Sequence, residues 1–290
     1  MDPLTITGAG LAVLGSKELL VKLLGPSADY LGGEIADFVQ KCNVNLDSVF
    51  VRAAKKLGGR IDEKGSVSPR VLRHILDDGR FCEDEVAAEY YGGMLAGSRE
   101  PTGKDDRCLP FLSKVREMSV LQIRLHFVFY YEVLRLYRDT KPNLGLGDEC
   151  NKAGLLLPHQ FMIPIFPANK VADSYWDMMT HSVVGLSSQG LITTYAYGGA
   201  DTLKQQFPGA DKDGAYMAPN FMGAELFLWA LGLETPNAHR FFNVSPKEIE
   251  QVIPIPPGAE AKPNQANKTG EASGDQQPPE VSSPSRVPRL

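Results

Sequence analysis

The chain of 290 residues is poor in the residue types that staple, ligate or cleave. Its four cysteines, Cys42, Cys82, Cys108 and Cys150, form no C-x-x-C pair. So few thiols in so long a chain suit a reducing cytosol, and the expected location is cytoplasmic. The five histidines, His74, His126, His159, His181 and His239, are scattered, and none pairs with another His or a Cys at zinc spacing. No G-x-S-x-G elbow and no catalytic cysteine signature occurs. The expectation is therefore not an enzyme, with no catalytic, metal or cofactor residue, unless a triad assembles only in space. Basic charge is also short, with 30 Lys and Arg against 35 Asp and Glu and a net charge of -5. A dedicated nucleic-acid binder usually carries a basic surplus.

Long apolar runs are missing as well. Pro3 to Ser16 is uncharged but has only 14 residues, short of the ~20 that a membrane helix needs. No positive charge precedes it, as a secretory signal would require. Ala153 to Asn169 is broken by Pro158, Pro164 and Pro167. Met178 to Ala200 carries His181, Ser182, Ser187, Ser188, Gln189, Thr193 and Thr194. No transmembrane helix is expected.

What is present is a globular composition, 43% hydrophobic and 22% charged, enough for one or two domains with a real core. Helical spacing dominates the first half. Leu31, Ile35, Phe38, Val39 and Cys42 make one apolar stripe, and Leu46, Val49, Phe50, Ala53 and Leu57 make another. Ser68-Pro69 opens a helix through Val71, Leu72, Ile75 and Leu76. The acids at 83 to 85 open the next, through Tyr90, Tyr91, Met94 and Leu95. Ser119 and Gln122 fit a capping box for a helix that is apolar on most sides and so central to its bundle. His126 lies within that helix and, lacking a second ligand at i+3 or i+4, reads as a packed core histidine.

After Thr140 the texture changes. A Pro- and Gly-rich connection leads to a helix from Val171 to Leu186, and a strand follows at Leu191 to Tyr197. A short return strand at Tyr216 to Ala218 and a helix from Phe221 ended by Gly232 complete a winged-helix order. Ser245-Pro-Lys-Glu248 offers a further helix start. From Ile253 to Leu290 there are eight prolines and no aromatic residue, which predicts a disordered tail. The expected fold class is mainly α, an N-terminal helical bundle followed by a small winged-helix-like α/β unit and a disordered tail. The boundaries read as 1–140 for the bundle, 141–170 for the connecting segment, 171–252 for the winged unit and 253–290 for the Pro-rich tail.

Three local patterns suggest ligands and fail in detail. Gly97 to Lys104 has five residues between its glycines, where a P-loop has four, and Asp105 follows the lysine. A helix-ending turn is expected there. Asp211-Lys-Asp213-Gly214 lacks the remaining ligands of a calcium loop and reads as an Asx turn. Tyr90-Tyr91-Gly92-Gly93 reads as packing beside a close helix contact rather than as a stacking platform.

Charge separates the two halves. Between Val171 and Glu234 the bases Lys204 and Lys212 face seven acids, a balance that repels DNA. The candidate interaction patch lies elsewhere, at Arg52, Lys55, Lys56, Arg60, Lys64, Arg70 and Arg73, against only Asp62 and Glu63. A solvated helix face is the plainer reading of that patch.

Leu24-Gly-Pro-Ser-Ala-Asp-Tyr-Leu-Gly-Gly-Glu-Ile-Ala-Asp37 resembles the opening of the abortive-infection alpha (Abi-alpha) family of bacterial antiphage-associated proteins. Val67 to Leu76, the acids at 83 to 85 and Tyr90 to Ala96 are similar to that family's core, with Tyr90 or Tyr91 standing where tryptophan is common. Ser187 to Ile192 resembles its later helix followed by G-L-I. The resemblance covers roughly residues 20 to 240. It implies antiphage defence, acting here by binding a host or phage protein rather than by catalysis, and it brings no catalytic residues. Two alternatives stand beside it: a regulatory module that binds nucleic acid through the patch at 52–73, and a membrane-active effector using the Gly-rich N-terminus.

Overall fold

The computed structural model describes residues 17–26, 43–166, 171–205, 207–245, 249, 253 and 261–263. The helix read over 31–42, the one read from Ser245 onward and the Gly-rich N-terminus lie outside the described residues. The chain is mainly helical with one small antiparallel sheet, the fold class that the pattern predicts.

The bundle comprises α1 (Lys17–Leu24), α2 (Asn43–Leu57), α3 (Pro69–Gly79), α4 (Glu85–Gly97), α5 (Leu109–Glu117) and α6 (Val120–Tyr137). A 3-10 turn (Gly58–Asp62) follows α2. Helix α3 starts at Pro69 as its sequence demands, although the Ser68 side chain makes no capping bond. Asp84 caps α4, its Oδ1 accepting from Val86 N at 3.0 Å and Ala87 N at 3.2 Å. The capping box at α6 is realised: Ser119 N donates to Gln122 Oε1 at 2.9 Å and Gln122 N to Ser119 Oγ at 3.3 Å. Twelve of the 18 residues of α6 are buried, so it is the central helix.

Gly92 and Gly93 let α4 sit between two neighbours. A Cβ on Gly92 would meet Val49 O of α2 at 2.9 Å, and one on Gly93 would meet Ala230 O at 2.1 Å. The tyrosine–glycine run is therefore a close helix contact, as expected.

The second half contains α7 (Gly147–Lys152), β1 (Leu155–Pro158), α8 (His159–Met162), α9 (Val171–Ser188), β2 (Ile192–Gly198), α10 (Ala200–Lys204), β3 (Gly214–Pro219), α11 (Phe221–Ala230) and β4 (Lys262–Pro263). Helix, strand, strand, helix follows the expected winged-helix-like order, with α10 inserted between the strands. Gly232, at φ +72°, ends α11. The sheet order is β2-β3-β1-β4, antiparallel throughout.

Two segments outside the expected winged unit supply strands to this sheet. The segment 141–170 supplies β1, which pairs Leu155 with Met217 and Leu157 with Ala215. Leu155 and Leu157 face the main core, while Leu156 packs in a second cluster with Leu203, Phe207, Ala210 and Tyr216. Burial on both faces removes the polar alternation by which a strand is recognised. The residues described after 252 also reach the sheet. They dock on the body, with Ile253 and Ala261 buried in the main core and Lys262 paired to Leu156 across β1. Proline is tolerated there because β4 is an edge strand. Residues 264–290 lie outside the described residues.

One core runs from Leu23 through the bundle into the sheet. Tyr130 of α6 joins the parts, its hydroxyl donating to Leu191 O at 2.5 Å and accepting from Asn220 N at 3.0 Å.

Candidate functional site

The seven bases of the candidate patch differ in what they contact. Arg52 Nε and Lys56 Nζ flank the same carboxylate, Glu89 of α4, at 2.7 and 2.5 Å, and all three side chains are under a fifth exposed. Arg60 donates to Gly232 O at 3.0 Å and so caps the end of α11. Arg70 pairs with Asp106 and Arg73 with Asp77, both exposed on α3. Lys55 faces outward on α2 and Lys64 lies exposed beyond the 3-10 turn. Arg52, Lys56 and Arg60 therefore tie helices together. The counter-charge that holds the first two lies more than 30 residues away in sequence, so local charge counting misses it.

The remaining sequence-level candidates also find internal partners. In the turn after Gly97 the Glu100 carboxylate accepts from Thr102 N at 2.8 Å, Thr102 Oγ1 at 2.6 Å and Lys104 N at 2.7 Å. These bonds, led by the Thr102 hydroxyl, hold its pKa at about 2. The amides that a phosphate would need are thus taken by a carboxylate of the chain. Asp213 Oδ1 accepts from Ala200 N at the start of α10, and Asp211 pairs with Lys262 of β4. Among the described residues no group of three or more His, Cys, Asp or Glu converges as a metal site would require. No helix among them is long and apolar enough to cross a membrane. Ser119 and His181, far apart in sequence, meet at 2.8 Å between Oγ and Nε2, but Ser119 Oγ also serves the α6 cap and no carboxylate among the described residues is hydrogen-bonded to that His181 ring.

A cleft of about 570 Å³ lies between the C-terminal end of α3, the start of α4, the end of α5 and the start of α6. Helix α5, which the sequence pattern left unassigned, supplies one wall. Its floor is apolar: Ala87, Val115, Met118 and Ile123 are buried. At its mouth stands Phe81, 78% exposed and the most exposed large apolar side chain among the described residues. The Arg80 guanidinium lies 5.6 Å from the Phe81 ring centroid. Asp84 fixes the edge, because its Oδ1 caps α4 while its Oδ2 takes two bonds from Arg124 of α6 at 2.9 and 2.6 Å.

Three groups that line the cleft, Cys82, Tyr91 and Asp78, are pushed towards their neutral forms. Burial, reinforced by the Asp84 charge, raises the Cys82 thiol to about 11. Burial, then the Asp78 charge, raises the Tyr91 phenol. Burial raises Asp78, against the pull of Arg116. A protonated thiol and phenol are poor nucleophiles at neutral pH. The arrangement is equipped to desolvate and bind, with an apolar floor and a charged rim. The sequence signal for it was an off-stripe phenylalanine in an acidic connection, Asp77-Asp-Gly-Arg-Phe81-Cys-Glu-Asp-Glu85. The other walls come from residues 30 to 40 positions later. No protein-family model, curated protein or solved structure matches the chain.

Proposed function

We propose that this chain is a binding protein that engages a protein partner through the cleft beside Phe81, in the service of antiphage defence by abortive infection. The observation that carries the binding reading is Phe81, 78% exposed at the mouth of an apolar-floored cleft. An apolar ring held in water beside a concave apolar surface is the usual mark of a recognition site. The muted reactivity of Cys82 and Tyr91 favours binding over catalysis there. The defence reading is supported by the resemblance of residues 24–37, 67–76, 83–96 and 187–192 to the Abi-alpha family. A reducing cytoplasm suits the buried free thiols Cys82, Cys108 and Cys150. Plaque counts on cells with and without the gene, followed by survival at low and high multiplicity of infection, test the defence reading. Fewer plaques, with cell death at high multiplicity, are expected. Unchanged plaquing across a broad phage panel overturns it.

A further inference from the structure

We infer that the occupant of the cleft is a short protein segment whose apolar side chains are flanked by lysine or arginine. This deepens the protein-binding reading and rests on it. The apolar half of the match is the floor of Ala87, Val115, Met118 and Ile123, extended outward by Phe81 and by Val120, which is 42% exposed. Because Phe81 projects beyond the cavity, the contact surface is wider than the cavity itself. That favours a polypeptide over a small molecule enclosed on all sides.

The charged half comes from the rim. The stretch Asp77 to Glu85 holds five acids and one base, Arg80. Asp77 is paired to Arg73 and Arg80, and Asp84 to Arg124. Asp78 and Glu83, both lining the cleft, have no ion pair within 4 Å among the described residues. Arg116 is the one base that lines the cleft. After internal pairing the rim therefore presents excess negative charge around an apolar floor. An anionic partner, whether nucleic acid, acidic peptide or acidic lipid surface, would bring like charge onto Asp78 and Glu83. A cationic segment would pair with exposed Glu83 and add to the pull that Arg116, His74 and Arg80 already exert on Asp78.

The test is fluorescence anisotropy with the full chain and two labelled synthetic 14-residue amphipathic peptides, one of leucine and lysine, the other of leucine and glutamate. The leucine–lysine peptide is expected to bind and to weaken at least tenfold with Glu83→Lys and with Phe81→Ser. The leucine–glutamate peptide is expected not to bind. Asp201→Lys removes the same charge far from the cleft, on a fully exposed side chain of α10, and is expected to change affinity less than twofold. Positions 81 and 83 are exposed, so thermal melts of those variants should match the parent and a lost affinity is not lost folding. Equal weakening by Asp201→Lys shows attraction to net charge alone and overturns the inference. Preference for the leucine–glutamate peptide, abolished by Phe81→Ser, overturns the basic partner but leaves the cleft as a binding site. Binding of either peptide untouched by Phe81→Ser overturns both.

Discussion

The Tyr90 hydroxyl and His126 Nδ1 lie 2.5 Å apart in the centre of the bundle, both residues fully buried. His126 also packs 4.6 Å from the Tyr130 ring. Burial depresses its pKa to about 3, so the ring stays neutral in the folded chain while the unfolded chain takes up a proton near pH 6.5. Below that pH the unfolded state binds more protons, and stability falls with pH by up to about 1.4 kcal/mol per unit. Between pH 6.5 and 5, above the range where most carboxylates titrate, the parent is expected to lose about 2 kcal/mol through this residue. Urea unfolding across that interval should show the loss, and His126→Gln should flatten it. An equal slope in both proteins would contradict the assignment.

Gly93→Ala should destabilise by about 3 kcal/mol or more, although alanine is the better helix former. Its Cβ would lie 2.1 Å from Ala230 O, a backbone atom that cannot swing aside. Gly59→Ala meets nothing within 4 Å and should stay within about 0.5 kcal/mol of the parent. Denaturant midpoints compare the two.

Reversing the basic residues should not be uniform. Lys64→Glu should change stability by less than about 0.5 kcal/mol. Lys56→Glu and Arg52→Glu each place a carboxylate beside the largely buried Glu89 and should cost about 1–3 kcal/mol. The sequence alone treats these positions as equivalent, since Glu89 lies on a different helix.

Truncation separates the two parts of the tail. Deleting residues 264–290 should leave the melting temperature within about 1–2 °C. Deleting from Ile253 also removes β4 and two buried core residues, and should lower it by at least about 3 °C. Equal melts for the two truncations would show that β4 contributes nothing.

What was legible in the sequence followed from local rules. The capping box at Ser119, the proline at 69 and the spacing along α6 each state a helix within a few residues. The β2–β3 order was readable from the branched and aromatic run Leu191 to Tyr197 and the turn glycines after it, although burial along β2 does not alternate. Strand β1 was not, because Leu155, Leu156 and Leu157 are all buried, and β4 was hidden by its two-residue length and its proline. The cleft was least legible. Phe81 stands out locally, but Val115, Met118 and Ile123 reach it only through the packing of α5 and α6 on α4.

The central claim is that the surface beside Phe81 is where a basic–apolar partner docks. Amide chemical-shift mapping of the full chain, titrated with the leucine–lysine peptide, tests it most directly. The account predicts saturable shifts concentrated in residues 78–91 and 115–124, with the sheet residues 192–198 and 214–219 unmoved. Shifts centred on the sheet, or spread evenly over the acidic surface, would contradict it.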